Sequence, residues 1–209
     1  ALDELNTDYI LLWNNDIKIN SNYFSVLSNA INDYPINTII GSSLINKFDK
    51  KILFDGVLFN KYSGKKKAIN KGLNENFLRE NYIEADMLGG MGTLINKNVF
   101  QNIGFWDYNL FPQYSGDTDF TLRAKKSGLK IIVCTNLRIY NDVSNSGIVH
   151  NASYKLLFSS LWSIGSNYNV KISLLFLLKH GFPILSLFGF VKKYFFYFGG
   201  FLKHKYVKV

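Results

Sequence analysis

Two clusters of acids and amides stand where catalytic groups commonly stand. The first, Asn14-Asn15-Asp16, ends the apolar run Tyr9-Ile10-Leu11-Leu12-Trp13. Such a run reads as a buried, parallel-type strand. In open α/β sheets, ligands bind beyond the carboxyl ends of strands. A carboxylate flanked by amides there can hold Mg2+ or Mn2+, hard cations that take oxygen ligands and bridge diphosphate oxygens. The same three residues also suit a plain turn. The second cluster is Gly116-Asp117-Thr118-Asp119-Phe120-Thr121-Leu122-Arg123. Asp117 and Asp119 fall in the first turn of a predicted helix, where the dipole favours negative charge. Capping accounts for one acid but not for two followed by Phe and Arg. A carboxylate fixed in that position is a candidate general base for a hydroxyl.

The elements that must position these clusters alternate along the chain. Ser21 is read as the cap of a helix reaching Asp33, with Pro35 stopping it. Thr38 to Ile45 reads as a strand, and Lys51 to Tyr62 as two short strands or a hairpin around Asp55-Gly56. Ser63 to Asn76, rich in Lys, Gly and Asn, reads as a loop. Tyr82 to Met87 resumes a strand, broken by Gly89-Gly90-Met91-Gly92. Thr93-Leu94-Ile95 leads into a short helix over Lys97 to Asn102, with Gly104 at its C′ position. A helix over Asp117 to Lys126 and a strand over Lys130 to Cys134 follow. This order predicts an α/β fold with a mainly parallel, Rossmann-like sheet.

From Ala152 onward the pattern turns helical. Ser173 to Phe190 is apolar except for Lys179 and His180, and Pro183 interrupts it. A membrane span needs ~20 largely apolar residues, so this stretch does not read as one. Tyr194-Phe195-Phe196-Tyr197-Phe198, flanked by Lys192-Lys193 and Lys203-His204-Lys205, reads as an aromatic, basic interfacial segment. Charge follows the same division. All fifteen acids lie in residues 1–150 with sixteen of the 24 Lys and Arg, whereas residues 151–209 hold eight lysines and no acid. The expected organisation is a core over 1–150 and a basic, helical, membrane-associating region over 151–209. The one cysteine, Cys134, excludes an internal disulfide and a Cys-based zinc cluster, and its apolar surroundings suit a buried structural thiol. No signal peptide is visible at Ala1-Leu2-Asp3-Glu4-Leu5.

Four segments, in order over residues 8–135, resemble family 2 glycosyltransferases of GT-A type, in a rhamnosyltransferase-like form. Asn14-Asn15-Asp16 is similar to the DxD segment of that family, and Met87 to Phe100 resembles its glycine-containing acceptor segment. Ile103-Gly104-Phe105-Trp106-Asp107 with Leu110-Phe111-Pro112-Gln113-Tyr114 is similar to the stretch that follows. Gly116-Asp117-x-Asp119-Phe120-x-x-Arg123 resembles the (E/G)-D-x-D-F-x-x-R motif, with Gly128 closing the helix. The resemblance implies an inverting enzyme that moves a sugar from a nucleotide-sugar donor to a glycan or lipid-linked acceptor in surface polysaccharide synthesis. In it Asp117 would be the catalytic base, with Asp119 and Arg123 supporting. Asn14, Asn15 and Asp16 would face the donor, Asp16 holding Mg2+ or Mn2+. Asp86, Gly89 and Gly90 would shape the acceptor pocket.

The resemblance also implies a nucleotide-binding segment before Asn14. Thirteen residues do not hold one, so the chain reads as the acceptor-side portion of such an enzyme. Asn14 and Asn15 replace acids that many members carry, and Gly116 replaces a Glu. Some members place a metal-binding His after the last core strand; His150 is the nearest candidate, with Asn141-Asp142 closer to that place, and a surface histidine is the preferred reading. The expected location is cytoplasmic, peripheral at the inner face of the cell membrane, with anionic lipid met by 151–209. The alternative is a catalytically incomplete fragment that binds a glycan or a membrane. A nucleic-acid module ranks last, since the tail's aromatics cluster with aliphatics and no helix-turn-helix or RNA-binding signature is present.

Overall fold

The computed structural model describes residues 6–142 and 153–206. The strands are β1 (Tyr9–Leu12), β2 (Ile17–Ile19), β3 (Thr38–Asn46), β4 (Ile52–Phe54), β5 (Val57–Asn60), β6 (Lys65–Ala68), β7 (Tyr82–Glu84), β8 (Thr93–Asn96) and β9 (Lys130–Asn141). The helices are α1 (Tyr23–Asp33), α2 (Lys97–Ile103), α3 (Gly116–Lys126), α4 (Tyr154–Trp162), α5 (Val170–His180) and α6 (Pro183–Tyr206). Packing divides the chain into two units. The first comprises Ala1–Leu58, Lys67–Trp106 and Asp117–Ser146; the second comprises Phe59–Lys66, Asp107–Gly116 and Gly147–Val209. Sequence reading drew the line at 150, and the second unit also takes two short segments from before it.

In the first unit a seven-stranded sheet runs β1-β8-β3-β9-β2, with β4 beside β3 and β7 beside β9. The α/β class and the helical C-terminal region are as expected. The sheet itself is mixed. β3 and β9 pair in parallel, while β8 inserts antiparallel between β1 and β3, so β1, β3 and β9 run one way and β2, β4, β7 and β8 the other. β3 is buried over Thr38–Ile45 and reads as a continuous apolar-to-small run because helices or loops cover both its faces. One core cluster gathers Tyr23, Leu27 and Ala30 of α1 with Ile40, Leu94, Ile132 and Ile139. The other gathers Val99, Phe100, Phe120 and Ala124 of α2 and α3 with Ile39, Ile95 and Ile131.

Three local expectations are corrected. The α1 cap position belongs to Asn22, not Ser21, and its side chain makes no capping bond. β9 runs to Asn141 rather than ending at Cys134: the register shifts between Ser42 and Ser43, so that Ser42 faces Cys134 and Ser43 faces Arg138. Three residues, 135–137, are thereby looped past, and their polar start hid the second half of the strand. Lys65–Ala68 is a strand, paired with β5, inside the segment read as a loop. Asp55-Gly56 does separate two strands, but β4 joins β3 and β5 joins β6, so they are no hairpin.

In the second unit Phe176 of α5 is edge-on to Phe59 and Phe111, and its ring lies tilted against the buried His180, 4.8 Å between centroids. Asn169 caps α5 by accepting from the Ile172 N–H while its own amide donates to the Trp162 and Ser163 carbonyls. Lys179 pairs with Asp107 at 2.9 Å. Pro183 opens α6 at a position where its missing N–H costs nothing, which is why the apolar stretch breaks into two helices there. Among the described residues, no helix is long and apolar enough to cross a membrane.

Candidate functional site

The site is built on the rim of the first unit's sheet, where β1 ends and β8 begins. The glycine loop enters β8 there, and the Gly92 N–H bonds to the Leu12 carbonyl, 2.9 Å away. The chain therefore leaves β1 beside Gly92, and residues 13–16 carry it to β2 on β9. Trp13 is anchored by an edge contact with Tyr23 and a stack on Phe24. Asn14, Asn15 and Asp16 beyond it are exposed.

Asp117, in the first turn of α3, meets the same loop. One carboxylate oxygen accepts from Trp106 Nε1 at 3.1 Å, and the Gly90 backbone N–H bonds to the carboxylate as well. A Cβ at position 90 would stand 2.9 Å from Asp117 Oδ2, so glycine is what lets the carboxylate lie against the backbone. Burial pushes the Asp117 carboxyl above its ordinary value, and the bonds from Trp106 and Gly90 oppose that rise. The result is a base held in place and shifted toward proton uptake, as general-base chemistry requires.

Trp106 is itself fixed from beneath. Its ring stacks on Phe120 at 4.9 Å and 18°, and Phe100 touches both rings. Asp119 is fully buried and pairs with Arg123, one turn on, at 2.9 Å. The Arg123 guanidinium also donates to the Ile103 and Phe105 carbonyls. The Asp119–Arg123 pair thus clasps the backbone that presents Trp106 to Asp117. Thr121 adds a second tie, accepting from the Leu88 N–H at 3.2 Å.

The structure sets Asp117 against Gly90, and the Gly92–Leu12 bond ties that loop to the end of β1, four residues before Asp16, while Asp86 is drawn toward the other end of α3. Asp86 pairs with Lys125 at 2.5 Å, in the last turn of α3. Asp117 and Lys125 are eight residues apart on one helix, roughly 12 Å at 1.5 Å per residue. Gly89 lies in the loop, but a Cβ there would meet nothing nearer than Phe54 at 3.5 Å. Trp106 was quoted in the sequence motif without a role. Its contact with Asp117 comes from tertiary packing, and no spacing announces it.

Asp142, which stands near the place expected for a metal-binding residue, comes opposite Asp16 by strand register. The antiparallel register sets Ile17 opposite Asn141, which puts Asp16 and Asp142 next in line across β2 and β9. Asp16 supplies an exposed carboxylate with amides beside it, a donor set that suits Mg2+ or Mn2+ when phosphate oxygens complete the shell. No group of three or more His, Cys, Asp or Glu able to hold a metal occurs among the described residues. His150 lies outside them.

No family model matches the sequence, and neither does any curated protein. Among solved structures, the chain is similar to the crystal structure of GalNAc-T7 with UDP, GalNAc and Mn2+, at TM-score 0.49 and 14% identity. The match covers 65% of this chain and 27% of that one, so the chain spans well under half the length of the protein it resembles. A likeness at that level says nothing about activity.

Proposed function

We propose that this chain is the acceptor-side part of an inverting, GT-A type glycosyltransferase. It moves a sugar from a nucleotide-sugar donor to a hydroxyl of a glycan or lipid-linked acceptor. The observation that carries this reading is the Asp117 carboxylate, half-buried and fixed by Trp106 and Gly90, in a loop that bonds to the end of β1.

In this mechanism the acceptor hydroxyl sits against the glycine loop and gives its proton to Asp117. Its oxygen attacks the anomeric carbon as the bond from that carbon to the diphosphate oxygen breaks, and the diphosphate keeps the bonding electrons. One positioned carboxylate suffices for such a displacement, whereas hydrolases work with a pair of acids. Asp16 would hold Mg2+ or Mn2+, with Asn14 and Asn15 toward the donor; the cation offsets charge growing on the leaving diphosphate. Asp119 and Arg123 act at one remove, by holding the backbone that aims Trp106. The same reading places the protein in surface polysaccharide synthesis at the cytoplasmic face of a membrane. What supports a membrane surface is the run of lysines without acids after residue 150.

The test is release of nucleoside diphosphate from a panel of UDP-, GDP- and dTDP-sugars with Mn2+ and a lipid-linked acceptor pool. Asp117→Asn should lower transfer by about 10²–10⁴-fold, the usual worth of a general base. Transfer at the parent rate by a folded Asp117→Asn protein would remove the base assignment.

A further inference from the structure

A cleft of about 570 Å3 opens on the first unit, away from Asp117. Its origin is a gap in the sheet edge. β7 pairs with β9 at residues 132–134 and β2 pairs with β9 at 139–141, both on the same side of that strand. The looped residues 135–137 lie between them with no strand partner on that edge, and α1 forms the wall opposite.

The lining is unusual in kind. Asn20, Asn22, Asn29, Asn81 and Asn136 surround the opening, with Arg138 at one side. Asn22 holds the N-cap position of α1, where a side-chain amide ordinarily accepts from the first helical N–H groups; here it makes no such bond and lines the cleft instead. Asn136 donates to Asn81 at 3.2 Å, a bond that uses neither the Asn81 amide nitrogen nor the Asn136 oxygen, and both residues line the cleft. The lining carries one charge of each sign. Asp33 accepts from Tyr82 at 2.5 Å, and Arg138 faces Glu75 at 3.9 Å. Cys134, on the floor, is buried, and burial pushes its thiol up, away from the reactive thiolate.

From this we infer a second binding site, for a neutral carbohydrate. A sugar hydroxyl both donates and accepts, and a carboxamide is the side chain that answers with both. With one carboxylate and one guanidinium among five amides, the lining has no excess of positive charge to draw phosphate or carboxylate ligands, and its volume falls within the range of small-molecule sites. The site lies one short strand, β2, from Asp16, so it is placed to hold a distal part of a glycan whose other end reaches the rim. It binds sugar whether or not Asp117 is a base.

The experiment is a titration of the 15N-labelled 209-residue chain with maltose, lactose and chitobiose, with inorganic phosphate and glucuronate as charged counterparts. The side-chain amide signals of Asn22, Asn29, Asn81 and Asn136 report directly. Saturable shifts are expected with at least one neutral sugar, weakened tenfold or more by Asn29→Phe, which fills the opening from the exposed face of α1. Asn136→Ala gives a second, smaller change should the first variant misfold, and it should also weaken binding. The titration is run without donor or divalent cation, and only the cleft amides are read, which separates this site from the transfer reaction. No saturable shift at ~10 mM sugar, ten times a ~1 mM affinity, overturns the proposal. So does a response to phosphate or glucuronate alone, or sugar binding untouched by both cleft variants.

Discussion

Asp117 is kept half-buried and yet able to ionise, and single-atom contacts decide both. Its folded-state carboxyl lies above its unfolded value because burial disfavours the charge. The stability linked to the protonated form is fully present below the unfolded value of about 3.9 and is lost as pH rises through the folded one. Asp117→Asn cannot ionise and escapes that loss. It should therefore melt a few degrees (~2–5 °C) above the parent at pH 7, with the gap closing toward pH 3, as thermal scans across pH would read. The same variant loses transfer, so activity and stability move in opposite directions. The glycine loop supplies a second contrast. Gly90→Ala places a methyl against Asp117 Oδ2 and should lower transfer by about 10–100-fold, the cost of displacing a catalytic group by a fraction of an ångström to an ångström. Gly89→Ala meets only ordinary contact with Phe54 and should stay near the parent rate in the same assay.

Among the elements, those with local signals were legible. α2 and α3 are legible almost to the residue, because the glycines at 104 and 128 end the helices with positive φ. β6 gave no signal, since Lys65-Lys66-Lys67 has no alternation of apolar and polar residues. β2 was hidden in the Asp16 turn, and β9 was cut short where its polar loop begins. The site divides in the same way. Asp117 and its motif are readable in the chain, while the Trp106–Asp117 contact, the Asp16–Asp142 register and the Asp86–Lys125 pair depend on packing and register. Packing also assembled a buried network that the sequence only hinted at around Asp55-Gly56. Asp55 is fully buried, accepts from Ser43 and Asn70, and pairs with Arg79 at 3.0 Å. Asp55→Ala leaves the Arg79 charge without that partner in the interior and should cost about 3–5 kcal/mol of unfolding free energy, read by urea denaturation. A loss below ~1 kcal/mol would show the pair to be solvated in practice.

Over the whole molecule, charge and apolar exposure are unevenly shared. α6 carries exposed Ile184, Leu185, Phe188, Val191, Phe195 and Phe196 together with exposed Lys192 and Lys203. A helix that shows both kinds of residue, with no acid among them, is suited to lie on an anionic bilayer. The chain should sediment with phosphatidylserine vesicles and not with pure phosphatidylcholine. Lys192→Gln with Lys203→Gln should weaken that binding roughly 30-fold at low salt, at about 1 kcal/mol per lysine. Equal binding to both vesicle types would take the electrostatic part of this reading away.

β1 has consequences of its own. Among the described residues Tyr9–Leu12 is bonded to β8 along one side only, and it stands last in the strand order. Its other side presents a row of peptide donors and acceptors over an apolar Tyr-Ile-Leu-Leu stretch, with no proline or lysine to blunt it. Such a margin is a docking template for any extended peptide that reaches it, and at high concentration the nearest such peptide is another copy of the same four residues. The strand that delivers Asp16 to the rim is thus also where self-association of the purified chain should begin.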